Sequence, residues 1–112
     1  ELLELHIRHV PDGDFTDFLF NQVQEKAMLR MEGPLGQFTL REDSPRPKLM
    51  VAGGTGFAPI KSILEHAFAE ELQQDIYLYW GARAKRDLYL DELPRRWTGM
   101  HPNFHYIPVL SE

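Results

Sequence analysis

The feature that most constrains the fold is a glycine-rich turn between a short apolar segment and a helical pattern. Residues 49–52 are apolar, and residues 53–59, with the sequence GGTGFAP, follow at once. The next segment repeats apolar residues at the 3.6-residue period of an amphipathic helix, at Ile60, Ile63, Leu64, Ala67, Phe68 and Leu72. A buried strand that passes through glycines into a helix predicts a parallel α/β sheet, whose ligands bind at the carboxyl ends of the strands.

The glycines of this turn are suited to a phosphate group. Glycine allows positive φ angles and close approach of a ligand to the backbone, and the free N–H groups of a helix start favour an anion. A tight turn that merely needs glycine is the alternative interpretation. The spacing is neither G-x-G-x-x-G nor a P-loop, because no G-K-[ST] follows.

Two further strands and a helix are predicted after this unit. Residues 76–80 are continuously apolar, which is typical of a parallel strand covered on both faces. Residues 104–110 form the third strand, and residues 87–97 predict a short helix that is broken near Pro94. We expect Trp80 and Trp97 to belong to the core.

The first part of the chain has a different pattern. Residues 2–10 alternate between apolar and polar side chains, as a half-buried strand does; residues 28–32 predict another strand, and the alternation resumes at 38–40. A short helix should follow Thr16 as N-cap, with Phe15 and Phe20 placed for a hydrophobic staple and its inner face formed by Leu19, Phe20, Val23 and Ala27. Residues 41–48 carry five charges and two prolines and read as a linker, so we predict domains at 1–44 and 45–112.

Composition excludes several classes of function. The 12 Lys and Arg against 17 Asp and Glu give a net charge of −5, which argues against a nucleic-acid-binding surface, because such a surface is basic. The apolar runs are far shorter than the roughly 20 residues that a membrane span needs. Within these residues, the absence of cysteine excludes disulfides, thiol catalysis and cysteine-ligated zinc or iron–sulfur centres. The five histidines lack metal-ligand spacing and Ser62 lacks a nucleophile elbow, so we predict no metal site and assign no catalytic residue.

Four stretches together resemble the ferredoxin–NADP reductase superfamily. GGTGFAP at 53–59 looks like its pyridine-nucleotide loop, and LHIRHV at 5–10 with GDFT at 13–16 resembles its second FAD-binding segment. EGPLGQF at 32–38 resembles the turn that closes the flavin barrel. YWGAR at 79–83 with DLY at 87–89 resembles the second strand and following loop of the nucleotide domain. The order is that of the family, and reductase components of bacterial oxygenases and deoxysugar-forming systems look most similar.

The resemblance implies an α/β protein with a β-rich N-terminal part. It would comprise the end of an FAD-binding antiparallel β-barrel domain and the first half of a parallel-sheet NAD(P)-binding domain. The implied activity is hydride transfer from NAD(P)H to FAD and electron transfer onward to free flavin, a ferredoxin-type iron–sulfur centre or an oxygenase. Resemblance to oxygenase reductases favours NADH, and a cytoplasmic location fits. The alternative is a non-catalytic nucleotide-binding or interaction module of the same architecture.

The resemblance also implies binding residues. Those for FAD are His6, Ile7, Arg8, Gly13, Asp14, Phe15 and Thr16, with Gly13 and Thr16 on the pyrophosphate through backbone N–H groups and a hydroxyl at a helix start. Those for the nicotinamide nucleotide are Gly53, Gly54, Thr55, Gly56, Pro59, Gly81 and Arg83, with Arg83 on the adenosine half.

The choice between NADH and NADPH stays open at the level of single residues. Arg83, Lys85 and Arg86 would suit a 2′-phosphate, whereas the acidic residues that follow, Asp87, Asp91 and Glu92, would not. A solvated charged loop is the alternative interpretation of this segment.

Two motifs of the family are not in this sequence: an Arg-x-Tyr-Ser type motif that holds the flavin ring, and a Cys-Gly segment near the nicotinamide. We therefore expect the chain to be an internal piece of a longer protein. Substitution of Gly54 by Val is expected to abolish nucleotide binding and to leave the fold largely intact.

Overall fold

The computed structural model describes residues 2–112, and the chain divides into two compact units after Phe38. The first unit contains one helix, α1 (Asp14–Asn21), with Gly13 as its N-cap. The Thr16 hydroxyl donates to the Val10 carbonyl (2.9 Å) and accepts from the Val10 N–H (3.1 Å), which closes the turn before the helix. A Cβ on Gly13 would lie 2.9 Å from both Thr16 Oγ1 and the Val10 oxygen, so this turn requires glycine.

The prediction of Thr16 as N-cap is therefore wrong. Because the turn closes on Val10, the helix starts earlier and Thr16 lies within its first turn. The helix ends at Asn21, so Val23 and Ala27 lie outside it. Phe15 and Phe20 are 58% and 53% exposed and form no staple.

The predicted strands at 2–10, 28–32 and 38–40 are not formed either. A strand requires a neighbour that completes its hydrogen bonds, and residues 2–40 pair with no other described segment. The apolar side chains of the alternation are exposed instead, as shown by Leu3, Leu5 and Phe38.

The second unit is built on a three-stranded parallel sheet in the order β1-β2-β3. The strands are β1 (Lys48–Gly53), β2 (Ile76–Ala82) and β3 (Phe104–Leu110). The register places Gly53 beside Gly81 and Ala82 beside Leu110, so the carboxyl ends of all three strands lie at one edge. The predicted second and third strands are confirmed.

Two helices follow β1 and β2, as the strand–helix–strand pattern predicts. Helix α2 (Phe57–Ala69) follows β1, and helix α3 (Glu92–Met100) lies between β2 and β3 in the chain. The predicted break at Pro94 is wrong: Pro94 lies in the first turn of α3, where its missing N–H leaves no helical hydrogen bond unmade. Residues Lys85–Asp87 form a 3-10 turn instead of the start of that helix.

The core lies between one face of the sheet and the two helices. It consists of Ala52, Phe57, Ile60, Leu64, Ala67, Ile76, Leu78, Trp80, Leu88, Trp97 and Phe104. Both tryptophans are buried, as expected. The opposite face is uncovered within residues 2–112, because Leu49 and Val51 are 69% and 72% exposed. The expectation that both faces of the second strand are covered is thus wrong for this chain, since α2 and α3 pack on the same side.

None of the helices formed by residues 2–112 has the length and apolar character needed to cross a membrane.

Candidate functional site

The glycine-rich turn lies at the carboxyl end of β1 and leads directly into α2. Residues Gly54–Gly56 form a single 3-10 turn between the strand and the helix. Gly54 has a φ of +52°, in the left-handed region that favours glycine. Pro59 lies in the first turn of α2, where a missing N–H costs no helical hydrogen bond. Backbone N–H groups at this helix start are therefore the donors that an anion would meet.

A tryptophan of the neighbouring strand holds the turn in place. Trp80 Nε1 donates a hydrogen bond of 3.0 Å to the Gly54 carbonyl. The Trp80 ring stacks on Phe57, the first residue of α2, with ring centroids 4.1 Å apart. Sequence reasoning assigned Trp80 to the core alone; the signal it missed is that a buried indole N–H needs an acceptor.

The space beside the glycines is open. A Cβ on Gly53, Gly54 or Gly56 would meet no other atom within 4 Å. The packing of this chain therefore does not explain the small residues at Gly53 and Gly56, whereas a phosphate group resting on the backbone would. The turn fits the pyrophosphate of a nucleotide in shape and in the chemistry of its donors.

Arg83 follows β2 at the same edge of the sheet and contacts Glu112. The Glu112 N–H donates to the Arg83 carbonyl at 2.9 Å, and the Ser111 N–H donates to the Ala82 carbonyl at 3.1 Å, so the pairing of β2 with β3 continues to these residues. Arg83 Nε donates to Glu112 Oε1 at 3.0 Å, and Nη2 contacts the same oxygen. Sequence reasoning missed Glu112, because only the strand register brings it beside Arg83.

The loop after β2 surrounds a cavity of about 590 Å³. Its lining includes the cations Lys85, Arg86 and Arg96 and the carboxylates Asp91 and Glu92. The nearby carboxylate of Asp87 accepts a hydrogen bond of 3.1 Å from the Ala84 N–H and so closes the 3-10 turn.

Asp91 joins α3 to β3. Its two oxygens accept hydrogen bonds of 2.6 Å each from the Tyr106 hydroxyl and from Arg95 Nε. Burial raises the pKa of Asp91, but the hydrogen bonds and the positive charge of Arg95 outweigh burial, so its pKa lies below the ordinary value. Burial and the bond to Asp91 raise the pKa of Tyr106. Both groups therefore keep their ordinary charge at neutral pH and act as a structural link.

The predicted flavin residues lie in the first unit. Gly13 caps α1, and the N–H groups of Asp14, Phe15 and Thr16 are at its first turn, where a helix has no acceptors of its own. The Thr16 hydroxyl proton is used in the bond to Val10, so it cannot also donate to a phosphate. What fits a pyrophosphate here is the set of backbone donors.

The other predicted flavin residues precede this turn. The side chains of His6 and Glu4 contact each other, Ile7 is partly buried and Arg8 is exposed. Asp17, which could oppose an anion at the helix start, is paired with His9. Within the described residues, no group of three His, Asp or Glu side chains is placed to hold a metal ion.

The fold and the turn define a class of protein: a parallel-sheet nucleotide-binding domain preceded by a second, separate unit. Residues 50–112 match the oxidoreductase NAD-binding domain, and residues 1–40 match the oxidoreductase FAD-binding domain. The chain belongs to this oxidoreductase family, which confirms the resemblance and the fold class inferred from the sequence. The roles assigned to individual residues stay predictions.

Relatives and a solved structure agree with this assignment. The chain is 47% identical to Protein RfbI of Salmonella typhimurium over 97% of its length and 32% of that protein. It is 43% identical to a CDP-6-deoxy-L-threo-D-glycero-4-hexulose-3-dehydrase reductase of Yersinia pestis, with the same two coverages. It is 42% identical to the terephthalate 1,2-dioxygenase reductase component 2 of a Comamonas species, over 98% of this chain and 32% of that protein.

The crystal structure of the Amycolatopsis cytochrome P450 reductase GcoB matches 95% of this chain and 33% of that one, with a TM-score of 0.79 and 38% identity. The chain thus spans about a third of the length of each of these relatives.

Proposed function

We propose that this chain is the part of a flavin-dependent NAD(P)H reductase that binds the pyrophosphates of NAD(P)H and FAD. In this function hydride passes from NAD(P)H to FAD, and electrons pass onward to an acceptor such as free flavin, a ferredoxin-type iron–sulfur centre or an oxygenase. The names of the relatives support this proposal, because they include a CDP-6-deoxy-L-threo-D-glycero-4-hexulose-3-dehydrase reductase and a reductase component of terephthalate 1,2-dioxygenase. The cytoplasm, the compartment expected from the sequence, is part of the proposal.

One observation carries the proposal: the open glycine turn at the carboxyl end of β1, anchored by Trp80 and continuing into α2. Gly53, Gly54, Thr55 and Gly56 would hold the nucleotide pyrophosphate through backbone N–H groups. Gly81 lies beside Gly53 in the register and lets a ligand cross between the ends of β1 and β2. Arg83 would meet the adenosine half beyond that point.

The backbone at the start of α1 would hold the pyrophosphate of FAD in the same way. The N–H groups of Asp14, Phe15 and Thr16 are its donors, and Gly13 allows the close turn that presents them. The flavin supplies the ring that accepts hydride and passes electrons on. The residues described here bind and orient; none of them moves a proton in the proposed reaction.

The nucleotide site is tested by replacing Gly56 with Val. Gly56 has a φ of −58° and open space at its Cβ, so the fold accepts a side chain that would nevertheless fill the phosphate position. Gly54→Val is a poorer test, because the φ of +52° strains any side chain there. We expect Gly56→Val to weaken NADH binding by about tenfold or more, roughly 1.4 kcal/mol, in an NMR titration of backbone amides.

Gly99→Val is the matched control. Gly99 lies in α3 and also has open space at its Cβ, so it tests the same substitution away from the turn. NADH affinity within about twofold of the unsubstituted chain is expected for Gly99→Val. Equal affinity of both variants would rule out the proposed phosphate site.

The flavin part is tested by the visible spectrum of the chain with FAD supplied, recorded without oxygen before and after NADH is added. Retained flavin absorbance that bleaches on addition of NADH would show that this part of the protein is sufficient for hydride transfer, and loss of the flavin would show that it is not sufficient to hold FAD. Flavin that binds but does not bleach, in a chain that binds NADH, would favour a binding module without transfer.

A further inference from the structure

We propose that the cavity after β2 is a docking site for a protein partner whose surface is acidic and carries an apolar side chain that enters the cavity. The observation that carries the inference is an apolar floor with three exposed cations around it. The inference goes beyond the proposed function, because it concerns residues other than those of the glycine turn and does not require that a nucleotide binds.

The floor of the cavity is apolar and is held in place by the core. Leu88 is a member of the buried core cluster, and Leu90 and Leu93 are partly buried against it. Tyr89 also lines the cavity; its ring packs edge-on against Trp80, with centroids 5.4 Å apart. The volume of about 590 Å³ lies in the range of small-molecule pockets, roughly 300–1,000 Å³. A leucine or phenylalanine side chain of a partner therefore fits within it.

Three cations surround this floor. Lys85 and Arg86 belong to the 3-10 turn after β2, and Arg96 lies in α3. All three are exposed, and within residues 2–112 their side chains form no hydrogen bond or ion pair. A carboxylate that binds here therefore does not have to displace an existing partner.

The carboxylates of the lining oppose these cations only in part. Asp91 is already bonded to Tyr106 and Arg95, which leaves Glu92 as the lining carboxylate that faces the three cations. The chain as a whole carries a net charge of −5, so this is a positive area on an acidic molecule. An acidic partner is attracted to this area and repelled by the rest of the surface, and this difference fixes its orientation.

The position of the charges favours a protein over a small molecule. Small-molecule sites enclose most of their ligand and place a few polar groups inside the pocket. Here the apolar residues form the floor and the cations lie at the exposed rim. Protein interfaces have this arrangement, in which an apolar anchor enters a pocket and a polar rim surrounds it. The partner that fits carries carboxylates around a leucine or a phenylalanine.

The test uses three synthetic peptides as probes. The first has a central leucine flanked on both sides by glutamates, the second has glutamines in place of the glutamates, and the third has serine in place of the leucine. Each is titrated into the chain, and binding is followed by backbone amide NMR shifts. We expect the first peptide to shift the amides of residues 85–96 and to bind about fivefold or more tightly than either of the others. Its advantage over the glutamine peptide should shrink at high salt.

Two outcomes of this comparison would overturn the inference. Equal binding of the first and second peptides would show that the cations have no part in docking. Equal binding of the first and third peptides would show that the area binds any polyanion and that the cavity takes no apolar anchor.

The location of the site is tested by Arg96→Gln. This variant is expected to weaken binding of the first peptide by about two- to fivefold, the effect of one exposed ion pair, and to leave the glutamine peptide unaffected. Arg46→Gln is the matched control, because Arg46 is an exposed cation of the segment before β1 and the change in net charge is the same. Equal losses in the two variants would show an effect of net charge alone and would contradict the proposed location.

NADH separates this site from the glycine turn. Saturating NADH is expected to change the affinity for the first peptide by less than about twofold, whereas displacement of the peptide by NADH would place it in the nucleotide site and overturn the inference. The proposed function fails separately: Gly56→Val would then leave NADH affinity unchanged, whatever the peptides do.

Discussion

Trp80 acts on the candidate site as a single residue. Its ring fills the space between the sheet and α2, and its N–H fixes the carbonyl of Gly54. Gly54 has a positive φ, so the backbone N–H groups around it can point in directions that an ordinary turn does not allow. The indole therefore links core packing to the geometry of the glycine turn.

Trp80→Phe is expected to lower NADH affinity by about three- to tenfold, because the turn loses the hydrogen bond that fixes its carbonyl. Trp97→Phe is the matched control: Trp97 is buried in the same core and packs against Phe68 and Phe104. Both variants should lose about 1–3 kcal/mol of unfolding free energy in urea, but only the first should lose affinity in an NMR titration. Equal losses of affinity would show that the bond to Gly54 has no role in binding.

Helix α3 is held on β3 by the link from Asp91 to Tyr106 and Arg95. The carboxylate lies just before the helix, and the tyrosine lies in the strand. Because these partners favour the ionised carboxylate, its pKa is lower in the folded chain than in the unfolded chain. The stabilisation is therefore complete above the unfolded pKa, near 3.9, and is lost as the pH falls through the folded pKa.

Asp91→Asn is expected to lower stability at pH 7 by about 1–3 kcal/mol, since Asn cannot supply the charged acceptor. The difference from the unsubstituted chain should begin to narrow below about pH 4, where Asp91 of the unfolded chain binds a proton, and should be lost once the pH falls below the lower pKa of the folded chain. Urea unfolding between pH 2.5 and 7 measures the unfolding free energy of the variant and of the unsubstituted chain as a function of pH. Tyr106→Phe, which removes one hydrogen bond and keeps the carboxylate, should show an intermediate difference. A constant gap over the whole pH range would contradict this account.

At the scale of the whole molecule, the buried apolar core belongs to one of the two units. Every member of the core cluster lies between Ala52 and Phe104, whereas α1 buries none of its residues. Cooperative unfolding follows buried apolar contacts, and segments without them open at low free energy.

We expect a chain of residues 39–112 to unfold cooperatively, with a thermal midpoint within about 5 °C of that of the 112-residue chain. Residues 1–38 alone should show no cooperative transition. Circular dichroism of the two pieces during heating measures both. Loss of cooperativity in residues 39–112 would mean that the core cluster is not sufficient for folding.

The elements whose formation depends on residues close together in the chain could be predicted from the sequence. The strand, glycine turn and helix at 48–69 and the strands at 76–82 and 104–110 follow from local apolar periodicity and glycine chemistry, and they are formed as expected. The same reasoning failed at 2–10 and 28–32. Alternation of apolar and polar residues is compatible with a strand, but a strand forms only where a neighbouring strand completes its backbone hydrogen bonds.

The sequence by itself determined the family, the parallel sheet and the glycine turn, because these depend on residue types at short spacing. Only the tertiary structure decided which side chains meet across the sheet: Trp80 with Gly54, Arg83 with Glu112 and Asp91 with Tyr106. These partners are 15 to 29 residues apart in the chain. The register of the parallel strands and the packing of the helices bring them together, and no local pattern encodes that register.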